Sequence, residues 1–264
     1  PAEPQKAEDT SNEKSEDASN AKSENAEEAK EEEEPVQTVA PSGQILRYGA
    51  DLEGGAPYVF QDADNPDTLV GYEVDLINAI AKQLGRKAVH VQNDWDKLVP
   101  GLTRDLYDVA IHGLEVTPEH EEVVAFSIPY YITSLQLAVR KDMFLINSLE
   151  DCHRKAVGTL KESQAQYILE SLKDVDVRSY ATEVNGFDDL CNGRLDATLF
   201  DAPVALYYGT PRPEIKLIGE PIGRIIYGMA MRKENTELVQ QINAALTKMK
   251  ESGELRQILE RWNL

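Results

Sequence analysis

From Ile45 onward the apolar residues fall into two alternating textures, short unbroken runs and longer stretches with helical spacing. Ile45–Ala50 reads as a strand and is followed by a Gly54-Gly55 loop and Pro57-Tyr58. Leu76, Ile77, Ile80, Ala81 and Leu84 then recur at helical intervals, with Gly85 where a left-handed helix cap belongs. Residues 88–91 predict a strand, Trp95, Leu98, Val99 and Leu102 one helix face, and 107–111 another strand. The pattern then restarts. Strands are predicted over 135–140, 155–159, 175–180, 196–200, 215–218 and 225–231, with helices over 163–172, 184–192 and 234–252 and a short one ending at Trp262. Strands alternating with helices of about ten residues indicate βαβ units on mainly parallel sheets. The restart favours two α/β lobes over one large sheet.

Residues 1–42 lack this texture. They are Glu, Ala, Lys, Ser and Asn with almost no large apolar side chain, and are expected to form an acidic disordered tether, self-repelling and extended. The chain begins at Pro1 rather than Met, so it is expected to be processed or trimmed, a signal peptide or a lipid anchor being the candidates for what was removed. Formal net charge is -20, of which residues 1–34 carry -9 (13 acids, 4 lysines) and the remaining 230 carry -11 (34 acids, 23 bases). Such acidity argues against nucleic acid and against anionic membrane surfaces as partners. No run of about 18 apolar residues, the length of a membrane-crossing helix, occurs.

Enzyme and metal motifs are missing. The chain has no Gly-x-Gly-x-x-Gly, Walker or Gly-x-Ser-x-Gly sequence, and His90, His112, His120 and His153 lack zinc spacing. No metal and no cofactor is expected. Cys152 and Cys191 either form one disulfide in an oxidising compartment or are two unrelated thiols. Polar residues do collect where open α/β sheets bind ligands, at the carboxyl ends of strands. Asp51 and Glu53 follow the first strand; His112, Gly113 and Glu115 follow the third; 159–164 and Asp201 follow later ones. Taken singly each acid reads as a solvated loop residue or a helix cap. Their recurrence at one end of successive strands points to a binding cleft.

Several segments carry a family resemblance: Val70-Gly71-Tyr72-Glu73-Val74-Asp75-Leu76, Asp94-Trp95-Asp96-Lys97-Leu98-Val99-Pro100-Gly101-Leu102, and Tyr107-Asp108-Val109. Glu115-Val116-Thr117-Pro118-Glu119, Phe126-Ser127-Ile128-Pro129-Tyr130-Tyr131, Gly193-Arg194-Leu195-Asp196-Ala197, Asp201-Ala202-Pro203 and Arg261-Trp262 continue it in order. Over 45–263, 219 of 264 residues, the chain resembles the polar amino-acid solute-binding proteins (family 3) of bacterial ABC importers. The resemblance implies a type II periplasmic binding protein fold, two Rossmann-like lobes joined by a two-strand hinge. Lobe 1 would be 43–133 plus 223–264, lobe 2 134–222, and the hinges near 130–134 and 223–227. It further implies a monomer outside the cytoplasm, with membrane tethering left open, that closes on a small polar ligand and passes it to ABC permease membrane subunits.

Site roles follow by the same resemblance. Trp95 falls where an aromatic wall stacks on the ligand, or is a core aromatic; Gly113 where a backbone carbonyl meets the ligand's amino group; Phe200 on the pocket floor. Asp201 falls where an acid binds the ammonium, a role compatible with capping the helix at Ala202-Pro203. Ser163 and Gln164 open a helix whose N–H groups and hydroxyl would hold the carboxylate. Two positions depart from the family. His120 stands where an arginine usually clamps that carboxylate, and Glu115 where Thr or Ser is usual. The loop after Asp51 also has Gly54-Gly55 in place of a second aromatic. Imidazole cannot offer the bidentate fork of guanidinium. Glu115 then either raises the pKa of His120 or receives a cationic group of the ligand, and the expected ligand is an amino acid or a cationic amine. A dehydratase resembling the cyclohexadienyl or arogenate enzymes, with Glu115 as its acid, and a receptor's sensing module are the alternatives.

Overall fold

The computed structural model describes residues 45–264; the tether expected over 1–42 lies outside them. Its strands and helices run β1 Ile45–Ala50, β2 Phe60–Gln61, β3 Leu69–Val70, α1 Tyr72–Gln83, β4 Lys87–Gln92, α2 Leu98–Thr103, β5 Val109–Ala110, α3 Pro118–Glu121, β6 Val124–Phe126 and β7 Tyr131–Arg140. They continue β8 Ala156–Leu160, α4 Gln164–Ser171, β9 Asp176–Tyr180, α5 Glu183–Cys191, β10 Ala197–Asp201, α6 Ala202–Val204, β11 Ile215–Tyr227, β12 Ala230–Arg232, α7 Thr236–Ser252 and α8 Glu254–Arg261.

Two five-stranded sheets result, ordered β4-β1-β5-β12-β6 and β11-β7-β10-β8-β9, with β2 and β3 as a separate hairpin. The fold is the expected two-sheet α/β architecture, but its sheets are mixed. β1 pairs in parallel with β4 and β5, and β8 with β9 and β10. β12 runs antiparallel to β5 and β6, and β7 antiparallel to β10 and β11. The two longest ladder partners, β7 and β11, pair from Ile215 against Arg140 to Tyr227 against Tyr131.

Periodicity and burial agree closely. On α1 the side chains of Leu76, Ile77, Ile80 and Ala81 are buried, and on α7 those of Leu238, Ile242, Ala245, Leu246 and Met249. Full burial of each such Leu, Ile or Met contributes about 1.5–3 kcal/mol relative to exposure. Residues 215–218 and 225–231 do not form two separate strands: β11 continues through the polar interruption Gly219-Glu220-Pro221 by register shifts on either side of Ile222. A bulge absorbs extra residues while the ladder goes on, which an apolar run cannot reveal. β7 begins at Tyr131, four residues before the predicted start, and β5 shrinks to two residues. Cys152 and Cys191 are free thiols, so the second of the two readings holds. Cys152 is buried, and burial pushes its thiol up to about 11.

Candidate functional site

One cavity lies between the two sheets, walled mainly by the loops and helix starts that follow their strands. From the first come Tyr58, Trp95, His112, Gly113 and Glu115; from the second Leu160, Ser163, Ala165, Glu183, Phe200 and Asp201. The space between these atoms is narrow in this closed arrangement, with about 20 Å³ open to the centre of a water-sized sphere. Contacts outside the cavity also join the halves. Lys161 pairs with Asp96, the Ala56 N–H donates to the Tyr208 hydroxyl at 3.2 Å, and the Phe60 and Tyr207 rings meet edge-on at 5.7 Å.

Asp201 ends β10 and opens the short α6, whose Pro203 sits in the first turn. Its side chain does not cap that helix. Instead it accepts a hydrogen bond from the Tyr227 hydroxyl, which shares a second one, at 2.9 Å, with Tyr58. Removal from water pushes the Asp201 carboxyl up to about 7, against the lowering effect of the tyrosine bond. Glu183, in the first turn of α5, is buried and pushed up to about 8 by desolvation, with Asp201 and Asp51 adding repulsion. Glu115 is 1 % exposed. Desolvation first, then the nearby Asp201 charge, holds its carboxyl well above the ordinary range. Three acids thus face one small space, and no Lys or Arg lines it among the described residues.

Glu115 reaches across the cavity. Its Oε2 accepts from the Gln164 N–H at 2.8 Å, while its Oε1 is buried with no partner. Gln164 is the first residue of α4, and Ser163, its N-cap, accepts from the Gln166 N–H at 3.3 Å and donates to the Leu160 carbonyl at 2.8 Å. Only the backbone of Gln164 takes part, and its side chain is not among the cavity's walls. His120 is not among the lining residues either. Its Nδ1 is 3.0 Å from the Glu115 carbonyl oxygen and its ring lies against Phe126, so the imidazole meets the main chain of Glu115, not its carboxylate.

Beneath this, a buried acid shapes the loop. His112 and Gly113 both have positive φ, 115° and 58°. That turn presents the Gly113 N–H to Glu73 Oε1 at 2.8 Å, where the Tyr130 and Tyr72 hydroxyls also donate. A Cβ on Gly113 would stand 3.0 Å from the Tyr58 ring, so glycine keeps both the turn and the ring in place. Burial pushes Glu73 up to about 7, and desolvation, with the charge of His90, drops His112 to about 3, leaving a neutral imidazole at the wall. Trp95 donates from Nε1 to the His112 carbonyl at 3.0 Å, which fixes its ring at the cavity's side.

Asp51 and Glu53 are placed elsewhere. Asp51 is buried, accepting from the Glu53 N–H (2.9 Å), the Gln92 amide (2.9 Å) and the Trp95 N–H (3.0 Å). Glu53 is exposed, and both line an adjacent cleft that also holds Lys97 and Lys161. Of the eleven sequence-derived positions, the structure brings together Trp95, His112, Gly113, Glu115, Ser163, Phe200 and Asp201. Tyr58, Ala165 and Glu183 complete the walls together with Leu160, which belongs to the 159–164 segment; none of the four is among the eleven positions. Tyr58 supplies an aromatic near the place left open by Gly55, where a Cβ would come within 2.0 Å of the Val59 carbonyl oxygen. For Glu183 a signal existed: like Ser163 and Asp201, it follows a strand and opens a helix.

Known proteins resemble this chain along the same span. The arginine-binding periplasmic protein of Mannheimia haemolytica is 30% identical over 209 residues, 77% of this chain and 86% of that one. The L-cystine-binding protein TcyJ of Escherichia coli K12 is 32% identical over 215 residues, 80% of each. An ancestral arginine-binding protein, solved with arginine and with glutamine, superposes with a TM-score of 0.79 at 35% identity, covering 83% of this chain and 98% of that one. The family profile of the bacterial extracellular solute-binding proteins, family 3, matches residues 46–264, and the chain belongs to that family.

Proposed function

We propose that the protein is an extracytoplasmic solute-binding protein that captures a small cationic amino acid or amine between its two lobes and delivers it to an ABC permease. The observation that carries this is the cavity wall itself: Glu115, Glu183 and Asp201 face it with no Lys or Arg among them. A cation there replaces the water these carboxyls have lost, and the pairing gains strength from the low local dielectric. Trp95, Tyr58 and Phe200 put aromatic side chains on the wall, suited to a cation or its methylene stem. The arginine-binding relatives support the same ligand chemistry.

Lobe 1 is then 43–133 plus 223–264 and lobe 2 134–222, with β7 and β11 crossing between them. The Lys161–Asp96 pair, the Ala56–Tyr208 bond and the Glu115–Gln164 bond hold the lobes shut. Each must break on opening, and a bound cation shifts the balance only through contacts it makes in the closed form. A binding protein, not a dehydratase, is the reading its arginine- and cystine-binding relatives favour; turnover of prephenate or arogenate would overturn it.

Thermal-shift screening tests the ligand class directly. Arginine, lysine, ornithine, histidine, agmatine, putrescine, glutamine, glutamate and cystine serve as probes. Members with an uncompensated positive charge should raise the melting temperature, by the equivalent of about 2.7 kcal/mol at a hundredfold excess over Kd. A response to glutamate, or to neutral amino acids alone, would contradict the proposal.

A further inference from the structure

The amino end of α4 is already occupied. Gln164 and Gln166 each donate a backbone N–H there, the first to Glu115 Oε2 at 2.8 Å and the second to Ser163 Oγ at 3.3 Å. A ligand carboxylate seeking the positive end of this helix would meet a carboxylate that belongs to the protein. Nor does a fixed cation stand ready for it: His120 is engaged with the Glu115 main chain, and Lys161 points to Asp96. An incoming carboxylate would have to break the Glu115 bond and then share the space with Glu115, Glu183 and Asp201. Each like-charge contact at close range in a dry cavity opposes binding.

Glu115 has a second, unused feature. Its Oε1 is buried and unpartnered in a wall that also carries Asp201 and Glu183. Buried acceptors without donors are rare, and here the missing donor has a place to come from, the ligand. We propose that Glu115 acts as a built-in carboxylate, filling the seat at the α4 amino end and turning the site toward cations that carry no carboxylate of their own, namely diamines and guanidino-alkylamines. This rests on the cation-binding reading above and narrows it. The three carboxyls of the wall, Asp201 bonded to Tyr227, Glu115 through Oε1, and Glu183, take the two cationic ends between them. The same residue thereby holds the lobes together and rejects the acid form of the ligand.

Matched pairs isolate the effect, because agmatine is arginine without its carboxylate and cadaverine is lysine without its own. Calorimetric titration of the wild-type protein should give agmatine and cadaverine Kd values at least tenfold lower than those of arginine and lysine. Glu115→Ser should weaken agmatine at least tenfold and narrow or reverse its advantage over arginine. Glu115→Gln, which keeps an acceptor for the Gln164 N–H without the charge, should weaken agmatine and leave arginine no better. Wild-type protein that binds arginine as tightly as agmatine, or more tightly, overturns the built-in carboxylate and leaves cation binding standing. Binding of none of the four, with a thermal response to a neutral amino acid, overturns both.

Discussion

Asp51 and Glu115 are both buried acids at the carboxyl ends of strands in the same sheet, and they do opposite things. Asp51 is saturated by its own neighbourhood, accepting from two main-chain N–H groups and the Gln92 amide, and it lines the adjacent cleft rather than the central cavity. Glu115 has one bond, across the cavity, and an oxygen with none. The difference separates scaffold from site. An acid whose lone pairs are spent on the fold shapes a loop, whereas one left short of donors is free to recognise a ligand.

The contrast breaks most visibly if Asp51 is removed. Asp51→Ala strands the buried Trp95 N–H and releases the loop ahead of the aromatic wall, and should cost about 3 kcal/mol of folding stability in urea melts. Ligand affinity should change little at temperatures where the variant stays folded. Asp201→Asn should do the reverse, weakening cation binding by about 1.5–3 kcal/mol in calorimetry while the urea midpoint stays within error or rises. Equal effects of the two substitutions on stability would erase the distinction.

Proton linkage sharpens it. Glu73, Asp201 and Glu183 have values raised to about 7, 7 and 8 above those of the unfolded chain. Their protonated forms are favoured in the fold, so the stability they contribute is full below about pH 4 and is lost as pH rises through about 7 to 8. The free protein should therefore melt lower at pH 8.5 than at pH 5. Cation affinity should run the other way and rise across that window, since the ligand prefers the ionised acids. Glu183→Gln removes one of these groups. It should flatten the stability profile at its upper end and weaken cation binding by about 1 kcal/mol or more. Smallest of all should be Lys161→Ala. The lysine is half exposed and its pair with Asp96 is open to screening, so the loss of affinity should be slight, and slighter still in high salt.

Much of this is legible in the sequence. Helix faces such as Leu76, Ile77 and Ile80 follow from spacing alone; Asp201 and Gly113, which follow strands, and Trp95, singled out by the family resemblance, all line the cavity. Hydrogen-bond saturation was not legible. Asp51 and Glu53 carry the same charge as Glu115, and only the fold shows that Gln92 and the Trp95 N–H claim Asp51 while Glu53 faces solvent. Glu183 carries only a weak signal: it follows a strand and opens a helix as Ser163 does, but an acid in the first turn of a helix is ordinary wherever the helix lies. The fate of His120 was equally out of reach, because its partner is a main-chain carbonyl five residues away, not the carboxylate of that residue.

The central claim, that these carboxyls wait for a cation, has one direct readout. Calorimetric titration at pH 7 with arginine and with agmatine, in phosphate and in Tris, measures the protons exchanged on binding. Acids raised to about 7 and 8 are partly protonated in the free protein and must ionise around a cation, so proton release on binding is the predicted result. Binding with no proton exchange, or with uptake, would contradict the account.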